Sequence, residues 1–79
     1  MTKLEIYDQL FIRNFRVKKE DLPGLKYRGI ENWESLGHME LIADIEEKFD
    51  IHMSTPDIME FSSYEMGKEV LKKYGVVIE

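Results

Sequence analysis

Ser35 combines a nucleophilic side chain with a position that favours covalent modification. It lies between residues 15–34, which show no sustained periodicity, and residues 35–49, in which apolar and acidic residues recur at helical spacing. A serine at the start of a helix is exposed, and free backbone N–H groups there carry the positive end of the helix dipole. These features would favour a phosphodiester on the hydroxyl. On spacing alone the simpler interpretation, in which Ser35 is only the N-cap of the helix, is favoured and stays open.

The two histidines offer no catalytic or metal-binding arrangement. Ser35 and His38 lack the G-x-S-x-G pattern of a nucleophile elbow. Neither His38 nor His52 has a second ligand three or four residues away in a metal-like set, and no EF-hand spacing is present. We therefore expect no enzyme activity, no catalytic residue and no metal site, with His38 exposed near Ser35.

Apolar residues at helical spacing predict a first helix over 2–14, in which Thr2 and Glu5 form a capping box. The connection over 15–34 is longer than compact domains usually contain, and it carries scattered apolar residues. We expect these residues to pin the connection to the core, with a short helical turn after Lys19.

The second helix, over 35–49, has the clearest pattern in the chain. Its apolar face is predicted to contain Leu36, Met39, Ile42, Ile45 and Phe49, with Leu41 beside them. The other face carries Glu40, Asp44 and Glu47. Like charges this close repel by a few tenths of a kcal/mol per pair, so stability alone would not select the stripe.

Two further helices complete the predicted fold. Thr55-Pro56-Asp57 is typical of a helix start, with Thr55 as cap, and only a short helix fits after it. Ser62 and Glu65 predict a capping box for the last helix, which Gly75 ends. No segment alternates with period two, so we predict an all-α fold, a small antiparallel bundle of three longer helices and one short helix.

The composition bounds the function before any motif is considered. The chain has 79 residues, a net charge of −5 and no cysteine. This length allows one domain, spanning 1–79, without a deep cleft between two lobes. The absence of cysteine excludes disulfide scaffolds, zinc ribbons and cysteine nucleophiles. No apolar run could cross a bilayer and the N-terminus lacks a signal-peptide core, so we expect a cytoplasmic protein that does not insert into membranes.

The charge is distributed unevenly. Residues 31–60 contain nine acidic residues and one lysine, a net charge of −8, whereas residues 1–30 carry a net charge of +3. The acidic third is either a solvated face or a docking surface for basic partners. The overall acidity argues against nucleic acid as a partner. The basic residues over 13–28 form a second recognition surface or only offset the acidic helix; the second interpretation is favoured.

The segment WESLGHMELIADIEEKFDI, residues 33–51, resembles the acyl carrier protein family. In that family an acid-Ser-Leu triplet opens the second helix, here Glu34-Ser35-Leu36, and the helix ends in E-E-K/R-F-x-I, here residues 46–51. The resemblance extends back to residues 15–22 and forward through the short third helix to the fourth. It therefore covers nearly the whole chain.

The resemblance implies an acyl carrier protein whose Ser35 hydroxyl is esterified with 4′-phosphopantetheine, taken from coenzyme A by a phosphopantetheinyl transferase. The thiol of the arm would carry an acyl or aminoacyl group as a thioester. The carrier, a monomer without catalytic residues, would present this cargo to a loading ligase and to acyl-processing enzymes. The residues implied to dock on basic patches of these partners are Glu34, Glu40, Asp44 and Glu47.

This chain departs from the family pattern at two positions. Glu34 stands where Asp is usual, and Gly37 stands where carriers of fatty-acid synthesis commonly have an acid. The Trp-acid-Ser-Leu-Gly-His pattern is more similar to stand-alone specialised carriers. Two alternatives remain open: a peptidyl or aminoacyl carrier with the same chemistry, and an unmodified acidic helical adaptor for a basic partner.

Overall fold

The computed structural model describes all 79 residues, which form four α-helices, one 3₁₀ turn and no strand. The elements are α1 (Lys3–Phe15), the 3₁₀ turn (Lys19–Asp21), α2 (Ser35–Phe49), α3 (Thr55–Glu60) and α4 (Tyr64–Lys72). The predicted all-α class is confirmed. None of the helices is long and apolar enough to cross a bilayer.

The capping box predicted for α1 is confirmed. The Thr2 hydroxyl accepts a hydrogen bond from the Glu5 N–H at 3.1 Å, and the Glu5 carboxylate accepts one from the Thr2 N–H at 2.8 Å. The helix ends at Arg16, whose φ of 57° lies in the left-handed region. α1 therefore begins and ends one residue later than the predicted 2–14.

Aromatic rings from α1 form the centre of the core. The ring of Phe11 lies 4.9 Å from that of Tyr7, between ring centroids, and 5.5 Å from that of Trp33. Trp33 stacks on Phe15 with centroids 4.9 Å apart. Such pairs stabilise a core beyond the area they bury. Because Trp33 is fully buried two residues before Ser35, it fixes the start of α2 against α1.

The long connection before α2 is pinned by buried side chains, as predicted. Leu22, Leu25 and Trp33 are all buried. The chain between α3 and α4 also ties the connection down, because the Tyr27 N–H donates to the Ser62 carbonyl at 2.9 Å. The predicted short helical turn is present and begins at Lys19. The connection thus holds a defined course to the start of α2.

The buried face of α2 differs from the prediction at Leu36 and Met39. Leu36 and Met39 are 67% and 50% exposed. Ile42 and Ile45 are buried as predicted, together with Leu41 beside them. The reason is geometric: each step of three residues falls about 60° short of a full helical turn, so a run spaced by three drifts around the axis. After three such steps, Leu36 and Ile45 point to opposite sides.

The caps of α3 and α4 each lie one residue from the predicted position. Ser54, not Thr55, caps α3, and its hydroxyl accepts from the Asp57 N–H at 3.4 Å. Ser63, not Ser62, caps α4 and accepts from the Met66 N–H at 2.9 Å. The predicted capping box at Ser62 is wrong, because the Ser62 carbonyl accepts a hydrogen bond from the Tyr27 N–H of the connection instead of one from the helix.

Gly75 ends the helical turn that follows α4, as predicted. Its φ is +76°, a conformation that glycine adopts without a steric cost. Its N–H donates to the Lys72 carbonyl at 3.0 Å, and the Val76 N–H donates to the Leu71 carbonyl at 3.1 Å. This pair of bonds is a Schellman motif and satisfies the free carbonyls of the helix end.

Candidate functional site

Ser35 is the first residue of α2, and its side chain is exposed. Glu34 is the N-cap: its carboxylate accepts hydrogen bonds from the N–H groups of Leu36 at 3.2 Å and Gly37 at 2.9 Å. The interpretation of Ser35 as the cap is therefore wrong. Because Glu34 performs this role, the Ser35 hydroxyl is not used to start the helix.

The Glu34 carboxylate also sets the charge at the start of α2. The N–H groups of Gly37 and Leu36 donate to it and hold the pKa of Glu34 below its usual value. Two of the backbone donors expected to be free beside Ser35 are thus occupied by a carboxylate. An anion attached to Ser35 would need other donors and a compensating positive charge.

The Ser35 hydroxyl has one hydrogen-bond partner, the phenol of Tyr27, with 3.2 Å between the two oxygens. The guanidinium carbon of Arg28 lies 5.5 Å from the centroid of the Tyr27 ring. The hydrogen bond with Ser35, and then the nearby Arg28, lower the pKa of the Tyr27 phenol. Sequence reasoning missed this pair, because the seven residues between Tyr27 and Ser35 follow no regular period.

His38 links three parts of the site, so the expectation of an exposed side chain is wrong. The indole N–H of Trp33 donates to Nδ1 of His38 at 3.0 Å. Nδ1 is therefore the acceptor, and Nε2 carries the proton that is donated to the Ile58 carbonyl at 2.8 Å. The imidazole joins the connection, α2 and α3 in one polar chain.

Gly37 allows the connection to lie directly on α2. A Cβ atom at this position would overlap the backbone carbonyl oxygen of Asn32 and would approach the Phe15 ring at 3.4 Å. The Asn32 side chain donates to the Phe15 carbonyl at 3.0 Å. The absence of an acid at Gly37 thus has a structural reason, since the backbone of the connection excludes any side chain there.

A cavity of about 210 Å³ lies next to Tyr27, the hydrogen-bond partner of Ser35. Its lining comes from the connection, α2 and the region of α3: Tyr27, His38, Met59, Phe61 and Ser62. Tyr27 both lines this cavity and contacts Ser35. A larger groove of about 440 Å³ lies between α1 and the end of α2, next to Arg13 and Lys48, and no residue of the Ser35 site lines it.

The acidic residues of α2 do not form one uniform stripe. The Asp44 carboxylate accepts a hydrogen bond from the Asn14 amide at 2.9 Å and lies 3.5 Å from the Arg13 guanidinium. Glu40 and Glu47 are exposed, and neither has an ion-pair or hydrogen-bond partner. Asp44 therefore holds α2 against α1, while two carboxylates remain free on the outer face.

Large apolar side chains are exposed on the same side of the molecule as the start of α2. Leu36 directly follows Ser35, Met39 lies one helical turn further, and Met59, 76% exposed, borders the cavity. The sequence pattern places Leu36 and Met39 in the core, but correct helical angles would have revealed them as surface residues. A patch of exposed apolar groups is typical of a surface that binds other proteins.

No three His, Cys, Asp or Glu side chains converge in a way that could hold a metal ion. No protein-family model, curated protein or solved structure matches the chain. The residues and the geometry around Ser35 therefore carry the functional proposal.

Proposed function

We propose that this protein is an acyl carrier protein with an acyl-carrier-like helix bundle, modified with 4′-phosphopantetheine on Ser35. The observation that carries the proposal is that the Ser35 hydroxyl is exposed at the start of α2 and takes no part in capping that helix. A serine that only caps a helix would bind a backbone N–H instead. The resemblance of residues 33–51 to the carrier signature adds the chemical identity of the group.

The surroundings of Ser35 fit a group attached to its oxygen. The side chain points to solvent, so a transferase can reach it, and its only partner is the phenol of Tyr27. In the transfer, Oγ forms a bond to the phosphorus that bears pantetheine, and the diphosphate P–O bond of coenzyme A breaks. 3′,5′-adenosine diphosphate leaves, and the hydroxyl proton goes to a base of the transferase. The bound arm supplies a thiol that carries cargo as a thioester.

The outer face of α2 supports docking on several partner enzymes in turn. Glu40 and Glu47 lie seven residues apart, hence on one face of the helix, and both are free of ion pairs. Leu36 and Met39 add apolar contact area close to the attachment point. Long-range charge attraction accelerates encounter without strong binding, which suits a carrier that exchanges partners.

The mass of the intact protein tests the proposal. Purified protein is incubated with coenzyme A and a broad-specificity phosphopantetheinyl transferase, and its mass is followed over time. We expect one phosphopantetheine increment in the wild type and in Ser62→Ala, a matched exposed serine that lines the cavity next to Tyr27. Ser35→Ala should show none. No increment in the wild type with several transferases would overturn the proposal.

A second candidate function, an unmodified acidic adaptor, is favoured by the free carboxylates of Glu40 and Glu47 alone. Such an adaptor would bind a basic partner equally well as wild type and as Ser35→Ala. A carrier would lose its thioester cargo in that variant. A loading assay with fatty acids and amino acids then separates an acyl carrier from a peptidyl or aminoacyl carrier.

A further inference from the structure

The start of α2 presents an electrostatic conflict for a phosphodiester on Ser35. The Glu34 carboxylate accepts from the N–H groups of Leu36 and Gly37, donors that an anion at a helix start would otherwise use. The phosphodiester would carry a second negative charge next to this carboxylate. Its stability therefore depends on groups outside the helix.

Tyr27 and Arg28, at neighbouring positions in the connection, can supply a hydrogen-bond donor and a positive charge for the phosphodiester. The Tyr27 phenol lies within hydrogen-bond distance of the Ser35 hydroxyl, at 3.2 Å, and the Arg28 guanidinium lies close to the Tyr27 ring. On the proposed function, we infer that Tyr27 and Arg28 are positioning residues for the modification of Ser35. Tyr27 orients Oγ before transfer, and the phenol and guanidinium together bind the phosphodiester afterwards.

The backbone at Arg28 is held in a defined conformation. Its φ of 64° lies in the left-handed region, which costs a residue with a Cβ atom free energy that glycine avoids. The Arg28 N–H donates to the Trp33 carbonyl at 2.8 Å and holds this conformation. Arg28 thus places a cation next to Tyr27, the hydrogen-bond partner of Ser35.

Both groups have the chemistry that a phosphodiester requires. A guanidinium donates several hydrogen bonds and stays charged at all physiological pH values, so it balances the added negative charge. A phenol is a neutral donor that can turn from Oγ to a phosphate oxygen without moving its ring. No bond to Tyr27 or Arg28 forms or breaks in this step, since the leaving group and the base belong to coenzyme A and the transferase.

Transferase kinetics on three variants test the inference. Tyr27→Phe removes the phenol oxygen, and Arg28→Gly removes the guanidinium while relieving the backbone. Arg16→Gly is the matched control, because Arg16 also has a left-handed φ, of 57°, at the end of α1. We expect kcat/KM to fall about threefold to tenfold in Tyr27→Phe, mainly through kcat, the range for loss of one hydrogen bond. For Arg28→Gly we expect a similar fall in kcat/KM, and for Arg16→Gly the kcat/KM of the wild type.

The phosphorus NMR resonance of the modified protein gives a readout that a merely structural role would not move. It should shift in Tyr27→Phe and in Arg28→Gly, but not in Arg16→Gly. Thermal melts should show Arg28→Gly at least as stable as the wild type, so slower modification there cannot come from unfolding. A normal rate with an unshifted resonance in both variants would overturn this inference and leave the carrier function standing. A wild type that no transferase modifies would overturn both.

Discussion

His38 holds the region of α3 against the start of α2, so its removal should destabilise the whole domain. Replacing it with alanine leaves the indole N–H of the fully buried Trp33 without an acceptor. The same change removes the hydrogen bond to the Ile58 carbonyl. It also removes a ring that packs 6.2 Å from the Phe61 ring, between centroids.

The expected loss follows from these contacts. An unsatisfied buried donor costs about 1–3 kcal/mol, and a lost hydrogen bond costs about 0.5–1.5 kcal/mol. We therefore expect His38→Ala to lower the free energy of unfolding by about 2–4 kcal/mol. The total free energy of unfolding of a domain of this size is roughly 4–12 kcal/mol. The corresponding fall in Tm is roughly 10–30 °C.

Urea unfolding measures this loss directly, since Trp33 is the only tryptophan and its fluorescence reports on the site. His52→Ala is the matched control, because the His52 side chain is 96% exposed and should change stability by less than about 0.5 kcal/mol. His38→Phe keeps the ring and isolates the hydrogen-bond contribution. If His38→Ala is as stable as His52→Ala, the polar chain through His38 does not exist.

Three other properties follow from the same structure. Glu40→Lys should weaken docking on a basic partner and flatten the salt dependence of that binding, without a change in the stability of the domain. Asp44→Lys should weaken docking and also unfold at a lower urea concentration, because the Asp44 carboxylate accepts a hydrogen bond from Asn14 of α1. Equal stability of the two variants would contradict the separate roles of these carboxylates. Gly37→Ala should cost about 1–3 kcal/mol in urea unfolding, because its Cβ would overlap a backbone carbonyl, and an unchanged midpoint would refute this close approach. The hydrogen bond from the Tyr74 hydroxyl is the largest of the interactions that lower the pKa of Asp57 in the folded state. The ionised carboxylate therefore stabilises the fold at pH values above the unfolded pKa of about 3.9, and this stabilisation is lost as the pH falls through the folded pKa. The free energy of unfolding of the wild type should therefore exceed that of Asp57→Asn at pH 7, and the excess should disappear in acid. An excess that stays constant between pH 7 and pH 2 would contradict this role of Asp57.

Local patterns in the sequence predict the helices well. The capping box of Thr2 and Glu5 involves residues three apart, and α2 begins and ends at the predicted residues, 35 and 49. Such features depend on neighbouring residues, so the sequence contains the information directly. The displaced cap of α4 shows where this fails: Ser62 and Ser63 are equivalent as local caps, and the pairing of Ser62 with the distant Tyr27 decides between them.

The surroundings of Ser35 are only partly predictable. The type and position of the serine single it out, but its partner Tyr27 comes from a connection without regular period. The partners of His38 are the buried Trp33 and a carbonyl at Ile58, twenty residues away. Only the tertiary structure brings these groups together, since no local spacing rule relates them.

The mass of tryptic fragments after treatment with coenzyme A and a phosphopantetheinyl transferase tests the central claim most directly. The carrier function predicts a phosphopantetheine increment on the fragment that contains Ser35. It predicts none on the fragment 49–68, which contains Ser54, Ser62 and Ser63, and none at all in Ser35→Ala. An increment on another serine, or an unmodified Ser35 with every transferase tried, would contradict it.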